Sequence, residues 1–384
     1  MTSRTVHRAM LSINVRWWNA EAAYALNLAR GLSAQGIEVY LIANPGSPAH
    51  QKAELLGFKV ITGILLDSRS PLTHIRNLVI LLRLIDREGI ELINSFKSNG
   101  SFLFTVIRRL RPHVTYIKTR GVATPPKQHA INRYLYGEKS CDGLITVGSP
   151  VYRWMKGLLG ASSRQQIETI YYGDSPVAVS EAESTEAMAN DLQIPDDRTV
   201  FALLGRTQRL KGHFVLLEAL NLLRSKAIHC LFLVKDLDEF PDVLDELRST
   251  IKQYDLSEQV TILGFQESLG PVLSRVDCGV IPSLSSEVNC RVCVEFFSAG
   301  IPVIAFPTGS LPDLVSHMKN GYLCAEKTAS ALSQALRWAL EDVESFKTAG
   351  RQAFADFQRY YTLEVMALQT IRFYESCKKS NLDH

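Results

Sequence analysis

No segment of this 384-residue chain approaches the ~18 consecutive uncharged apolar residues that a membrane-spanning helix needs, so a helical integral membrane protein is not expected. The opening MTSRTVHRAMLSINVRWWNAE does not run from basic to apolar to small residues, so no secretory leader is expected and a cytoplasmic location follows. Two phosphate-binding signatures are missing. Neither the GxxxxGK[ST] order nor a GxGxxG after a strand-like run occurs, which removes the main support for a nucleoside triphosphatase or a dinucleotide-dependent dehydrogenase. No DxD carboxylate motif lies in a loop suited to a metal, and the run DLDEFPD reads as a solvated helix start. Cysteine is sparse. The seven (Cys141, Cys230, Cys278, Cys290, Cys293, Cys324 and Cys377) are odd in number and sit in apolar segments, which suits reduced core thiols better than a disulfide framework. Cys290 and Cys293 form a lone CxxC without a second pair or a nearby His, an incomplete zinc set.

What is present is ordinary globular material: 46% hydrophobic and 21% charged residues. The length suits two domains of roughly 150 to 200 residues each. The net charge of +3 hides an asymmetry, because residues 1–170 carry 22 Lys and Arg against 10 Asp and Glu, while the remainder is net negative by 9. Two readings are open: a purely colloidal role, or a basic half that meets an anionic acceptor or an anionic membrane surface. The densest basic run is VIRRLRPHVTYIKTR, with Arg108, Arg109, Arg111, Lys118 and Arg120. It lacks the interleaved exposed aromatics of a stacking platform, so no nucleic-acid partner is expected.

Short β-branched runs alternate with helix-period segments. AMLSINV predicts a strand and EAAYALNLARGLSAQG a helix, with Ala22, Ala25, Leu26, Ala29 and Leu32 at three- and four-residue intervals before Gly36. The rhythm continues through EVYLIANP, FKVITGIL, ELINSF, VTYIKTRG and DGLITVG as strands. It restarts with RTVFALLG, HCLFLVKD, VTILGF, DCGVIPS and PVIAF. Such alternation predicts α/β architecture: two doubly wound, Rossmann-like domains of parallel strands facing across a cleft. The boundaries are residues 1–175, a polar, acidic linker at 176–196, and 197–361, with a final helix at 362–379 free to pack back on the first domain. Open parallel sheets bind ligands beyond the carboxyl ends of their strands, so the chemistry is expected in strand-to-helix loops.

Two loops stand out. In ALLGRTQRLKGH, Gly205 allows a tight turn, and Arg206 and Lys211 stand five residues apart before a helix. The pair suits one phosphate-bearing anion, Arg as a planar donor fork and Lys as a mobile point charge; a basic surface loop is the plainer reading. In LSSEVNCRVCVEFFSAG, a helix begins near Cys290 and ends at Gly300. Glu287 then lies just outside its N-terminus and Glu295 in its second turn, while the free N–H groups near Cys290, Arg291 and Val292 suit a phosphate. A carboxylate beside a phosphate is repelled, so each acid is expected to meet hydroxyls. Taken singly, Glu287 also reads as a helix-start acid and Glu295 as a solvated helix residue.

GRTQRLKG resembles the G-R-x4-K-G loop, and E-VNCRVCV-E the E-x7-E element, of the retaining GT-B glycosyltransferases of family four. FFSAGIPVIAFPTGSLPDLV and GYLCAEKTASALSQAL are similar to that family's continuation, and EAAYALNLARGLSAQGIEVYLIANPGS to its first helix and second strand. TRGVATPPKQHAINRYLYGEKSCDGLITVGSP resembles bacterial members that build lipopolysaccharide core or other surface glycans. The resemblance spans essentially the whole chain. It implies that Arg206 and Lys211 hold a donor diphosphate, Glu295 the ribose and Glu287 the transferred sugar, with Gly264 near the base. The implied donor is a UDP-, GDP- or ADP-linked sugar, the acceptor a glycan or lipid-linked hydroxyl, and the location the inner face of the cell membrane. No metal or other cofactor is implied.

The chain also departs from that pattern. The family's paired glycines in the first loop align with Asn19 and Ala20; either Asn19 donates a hydrogen bond in their place, or Trp17 and Trp18 shape an acceptor pocket, or both tryptophans are core. The usual E-G-F-G becomes Glu287-Val288-Asn289-Cys290, where Asn289 and Arg291 either contact the donor or cap the helix. Where many members place a His, this chain has Lys118-Thr119-Arg120-Gly121, and Arg120 either contacts an anionic acceptor or forms a structural salt bridge. His129 and His213 read as surface or capping residues. The competing readings are a sugar-nucleotide epimerase or hydrolase on the same fold, and a non-catalytic nucleotide- or glycan-binding protein, which the missing glycines motivate.

Overall fold

The computed structural model describes residues 6–177, 194–195, 197–235, 239–266, 268–285 and 287–380. Most of the expected linker at 176–196 and the Asp236–Asp238 part of DLDEFPD lie outside the described residues. The chain divides into two units, Met1–Gly173 with Leu363–His384, and Asp174–Thr362.

The N-terminal unit runs β1 (Arg8–Ile13), α1 (Ala20–Ala34), β2 (Glu38–Ala43), α2 (Pro48–Leu55), β3 (Lys59–Ile61), α3 (Pro71–Glu88), β4 (Leu92–Ser95), α4 (Ser101–Leu110), β5 (Thr115–Arg120), α5 (Ala130–Tyr136), β6 (Gly143–Thr146), α6 (Ser149–Leu159) and β7 (Gln166–Thr169). Its seven strands are all parallel, in the order β3-β2-β1-β4-β5-β6-β7. The C-terminal unit runs β8 (Thr199–Gly205), α7 (His213–Leu223), β9 (Ile228–Val234), α8 (Pro241–Gln253), β10 (Val260–Leu263), α9 (Gly270–Leu273), β11 (Cys278–Ile281), α10 (Arg291–Ser298), β12 (Val303–Ala305), α11 (Leu311–Leu314), β13 (Gly321–Leu323), α12 (Ala329–Glu341) and α13 (Val343–Tyr360). Its six parallel strands are ordered β10-β9-β8-β11-β12-β13. Helix α14 (Leu363–Ser380) closes the described chain.

Local signals account for these elements. Asn19 caps α1 by accepting from Ala22 N, and Ser70 followed by Pro71 starts α3, which stops at Gly89 in the left-handed region. The predicted stripe of α1 is fully buried, and so are Ala23, Tyr24 and Leu28 beside it, because α14 covers what would otherwise be an outer face. A hydrogen-bond chain fastens α14 to the sheet: Asn94 Nδ2 donates to Tyr374 Oη at 2.8 Å, and Thr119 Oγ1 donates to Asn94 Oδ1 at 2.9 Å. Strand β9 is buried along its whole length, as a central parallel strand must be.

Each sheet reverses its winding once, between β1 and β4 and between β8 and β11. Loops that leave adjacent strands in opposite directions open a crevice at such a point. In the C-terminal unit the loops concerned are 206–212 and 282–290.

Replacing Tyr374 with Phe strands the buried Asn94 amide. The expected loss is about 1–3 kcal/mol, read as a lower denaturant midpoint with unchanged slope; an unshifted midpoint contradicts the role given to this chain of bonds.

Candidate active site

At the end of β8 the backbone turns through Arg206, half-buried, and a short 3-10 turn, Arg209–Lys211, before α7. Gly212 takes φ +83 and passes so close to β11 that a Cβ there would lie 2.0 Å from Pro282 O. Leu284 N also donates to Leu210 O at 2.8 Å, so the loops after β8 and β11 are joined through their backbones. This junction brings Lys211 Nζ onto Glu287 Oε1 as a mostly buried ion pair, and Ser283 Oγ donates to the same oxygen at 2.7 Å. A Cβ added at Gly205 would meet the Lys211 stem at 3.5 Å, an ordinary contact.

A third loop, after β12, supports the second. Ser310 N donates to Glu287 O at 2.6 Å, and Thr308 Oγ1 donates to Ser283 O at 2.5 Å. Gly309, at φ +62, leaves no room for a side chain: a Cβ would sit 2.0 Å from Glu287 O. These residues escaped the sequence reading; the signal that could have found them is PTGSLPDL, a turn between strand and helix at the same sheet edge.

Cys290 precedes α10 with φ +47, a left-handed conformation at the position where the resembled family has its second glycine. A non-glycine residue in that region costs of order 1–3 kcal/mol. Along α10, Arg291 Nε bonds Glu295 Oε1 at 3.0 Å. Burial raises the Glu295 pKa, the Arg291 charge opposes the shift, and Asp174 adds to it. Glu295 Oε2, Asn289 Oδ1 and Ser310 Oγ are buried without a hydrogen-bond partner. Each such atom costs about 1–3 kcal/mol, and three around the β11 and β12 loops make a site ready for a ligand that brings hydroxyl or N–H groups. Gly264 follows β10, two strands from β8 on the same sheet edge.

The residues singled out in the N-terminal unit are placed otherwise. Asn19 spends its Oδ1 on capping α1. The core reading of the tryptophans fails: Trp17 is 62% exposed, and Trp18 is half-buried with the Lys52 ammonium 4.5 Å from its ring. Arg120 has no salt-bridge partner among the described residues; it is buried, donating to Tyr136 Oη at 3.0 Å and to Thr124 O at 2.7 Å. Lys118 is buried, bonded to Ser101 Oγ and Leu135 O, and its pKa is lowered by that burial. Arg108 pairs with Asp142, Arg111 with Asp86, and Arg109 donates to Tyr134 Oη. The basic run is therefore largely consumed internally rather than presented as a patch. His129 caps α5 through Nδ1, whereas His213 is a core residue edge-on to Phe232, not a surface one. Cys290 and Cys293 are buried with thiol pKa values raised by that burial, and among the described residues no three His, Cys, Asp or Glu side chains are grouped to hold a metal.

Two family models match the chain: Glycosyltransferase Family 4 over residues 22–173, and Glycosyl transferases group 1 over residues 184–355. Each half of the chain thus matches a glycosyltransferase family model. The chain is 30% identical, over 45% of its length, to a D-inositol 3-phosphate glycosyltransferase of Jonesia denitrificans, and 28% identical, over 44%, to the putative colanic acid biosynthesis glycosyltransferase WcaL of Salmonella typhimurium. The matches span only 42% and 44% of those relatives' own lengths. The Anabaena protein HepE, solved in complex with UDP, superposes with a TM-score of 0.81 at 16% identity, covering 97% of this chain and 100% of that one. The chain thus has the GT-B fold of two Rossmann-like domains.

A folded carboxyl with a raised pKa holds its proton to higher pH than the unfolded chain does, so its contribution to stability is lost as pH rises through the folded value. In the unliganded protein, Glu295→Gln should melt with the wild type in acid and above it at neutral pH. The opposite order at neutral pH contradicts the burial of this charge.

Proposed function

We propose that the chain is a retaining glycosyltransferase that moves a sugar from a nucleoside-diphosphate sugar to a hydroxyl of a glycan or lipid-linked acceptor, in bacterial lipopolysaccharide or surface-polysaccharide synthesis. The observation that carries this reading is the meeting of Lys211 and Glu287 at the winding reversal of the C-terminal sheet, beside Arg206 and the start of α10. The WcaL relative supports the glycan class, and the UDP complex of HepE supports a nucleotide-linked donor.

The donor diphosphate takes the Lys211 ammonium and the Arg206 guanidinium, with the N–H groups of Arg291 and Val292 turned to its oxygens. Lys211 is then shared between phosphate and Glu287, and Glu287, still held by Ser283, accepts from the hydroxyls of the transferred sugar. Glu295 Oε2 accepts from the ribose. In the reaction the bond from the anomeric carbon to the diphosphate oxygen breaks, and the acceptor oxygen bonds to the same face of that carbon. The acceptor proton passes to the departing phosphate oxygen. Charge grows on the diphosphate, where fixed cations and amide dipoles stabilise it. No protein nucleophile and no metal enter the scheme. Asn289 and Gly264 line the donor at the sugar and the base. Trp17 and Trp18 are assigned to the acceptor side, Arg120 is withdrawn from it because it is buried and bonded to Tyr136 and Thr124, and Asn19, held by its cap, is left with its amide as donor. The left-handed Cys290 weighs against a binding-only reading, because it keeps the backbone turn that the missing glycine would have supplied.

A thermal-shift series with UDP, GDP, ADP and their glucose conjugates tests the donor assignment, since a ligand selective for the folded state raises apparent stability with concentration. One nucleotide series is expected to stabilise the protein. Arg206→Ala should remove the shift and lower turnover about 10²–10³-fold with the unliganded melting temperature kept, and Lys211→Ala should do the same at a lower melting temperature, because it leaves Glu287 mostly buried and unpaired. Shifts unchanged in both variants overturn the phosphate site.

A further inference from the structure

The winding reversal of the N-terminal sheet, between β1 and β4, carries an ion pair that mirrors the one at β8 and β11. Glu21 is the second residue of α1, which follows β1, and Lys97 stands two residues beyond the end of β4. Lys97 Nζ lies 3.0 Å from Glu21 Oε2, with the Lys97 side chain 31% and the Glu21 side chain 8% exposed. Phe96 N donates to Ser12 O at 3.2 Å, so the loop after β4 is fastened to β1 as Leu284 is to Leu210 in the other unit. Only the order is exchanged: here the first connection brings the carboxylate and the loop across the reversal brings the ammonium.

The likeness extends to unmet bonding. Glu21 Oε1 is buried without a hydrogen-bond partner. Burial raises the pKa of this carboxyl, and the charges of Lys97 and Arg120 oppose the shift. A helix-start acid serves the macrodipole equally well in solvent, so that role does not account for the burial. Two residues before the α1 N-cap, Trp17 is turned outward.

The two units differ in what their cations do. Arg16 is paired with Asp67, Lys52 lies over the Trp18 ring, and Arg120 donates to Tyr136 and Thr124. Asn19 already takes the amide of Ala22 at the start of α1. A phosphate or carboxylate arriving here would meet the Glu21 charge and be repelled. A sugar hydroxyl donates to Oε1 and accepts from the Lys97 ammonium, and an exposed indole offers the flat apolar face against which a sugar ring packs.

We propose that Glu21, Lys97 and Trp17 bind an uncharged sugar and so make the acceptor a neutral glycosyl unit, against the anionic acceptor that the basic composition of residues 1–170 suggests. The word acceptor rests on the transfer reading above; the binding of a neutral sugar does not.

Saturation-transfer NMR on the intact chain, in excess UDP, compares methyl glucoside and methyl galactoside with glucuronate and glucose 6-phosphate. Signal is expected from at least one methyl glycoside and from neither anion. Glu21→Gln, which keeps the size of the side chain and removes its charge, and Trp17→Ala, at an exposed position, should each raise the Kd for that glycoside about tenfold, with the thermal shift given by UDP unchanged. A pair that only ties α1 to the sheet would instead lower the melting temperature of Glu21→Gln and leave the Kd alone. Three results overturn the proposal: no signal from any of the four sugars, signal from either anion as strong as from the methyl glycosides, or wild-type affinity in either variant. If UDP gives no thermal shift while the glycoside still binds and both variants still weaken it, the donor assignment fails and this one stands.

Discussion

The ion pair between Lys211 and Glu287 is the interaction on which the C-terminal unit's chemistry rests. An ammonium and a carboxylate taken mostly out of water lose hydration that their mutual attraction only partly returns. Such a pair is a poor way to gain stability and a good way to keep a cation and an acid poised together. Backbone contacts enforce the juxtaposition: Gly212 against Pro282, Leu284 onto Leu210, and Gly309 with Ser310 against the carbonyl of Glu287. The side chains meet because three loops from the adjacent strands β8, β11 and β12 are locked at their bases.

Other costs accumulate in the same place. Cys290 sits in a backbone region that suits glycine, Glu295 is a buried acid whose pKa burial raises, and three polar atoms of Glu295, Asn289 and Ser310 have no partner. Concentrated strain and unmet hydrogen-bonding capacity are what a folded protein tolerates where a ligand supplies the missing contacts. In the N-terminal unit Lys118 and Arg120 donate internally, to Ser101, Leu135, Tyr136 and Thr124, although Arg120 Nε is buried without a partner.

Much of this was legible from residue order, and the reasons are local. The stripe of α1 and the start of α10 near Cys290 depend on neighbours within one or two turns, so pattern reading reaches them, whereas the caps at Asn19 and Ser70 went unread. Strand β7 was not legible, because QIET at a sheet edge is short and half polar. Nor was the fate of the basic run: Asp86 and Asp142, which neutralise Arg111 and Arg108, lie 25 and 34 residues away in sequence. The same holds for Gly309 and Ser310, whose contact with Glu287 exists only once β11 and β12 pair.

A crystal structure of the chain with bound UDP tests the central claim most directly. The account predicts the diphosphate against Lys211 Nζ, Arg206 and the first amides of α10, with Lys211 shared between phosphate and Glu287 and the ribose on Glu295. A nucleotide bound elsewhere on the chain, with the Lys211 to Glu287 pair undisturbed, would contradict it.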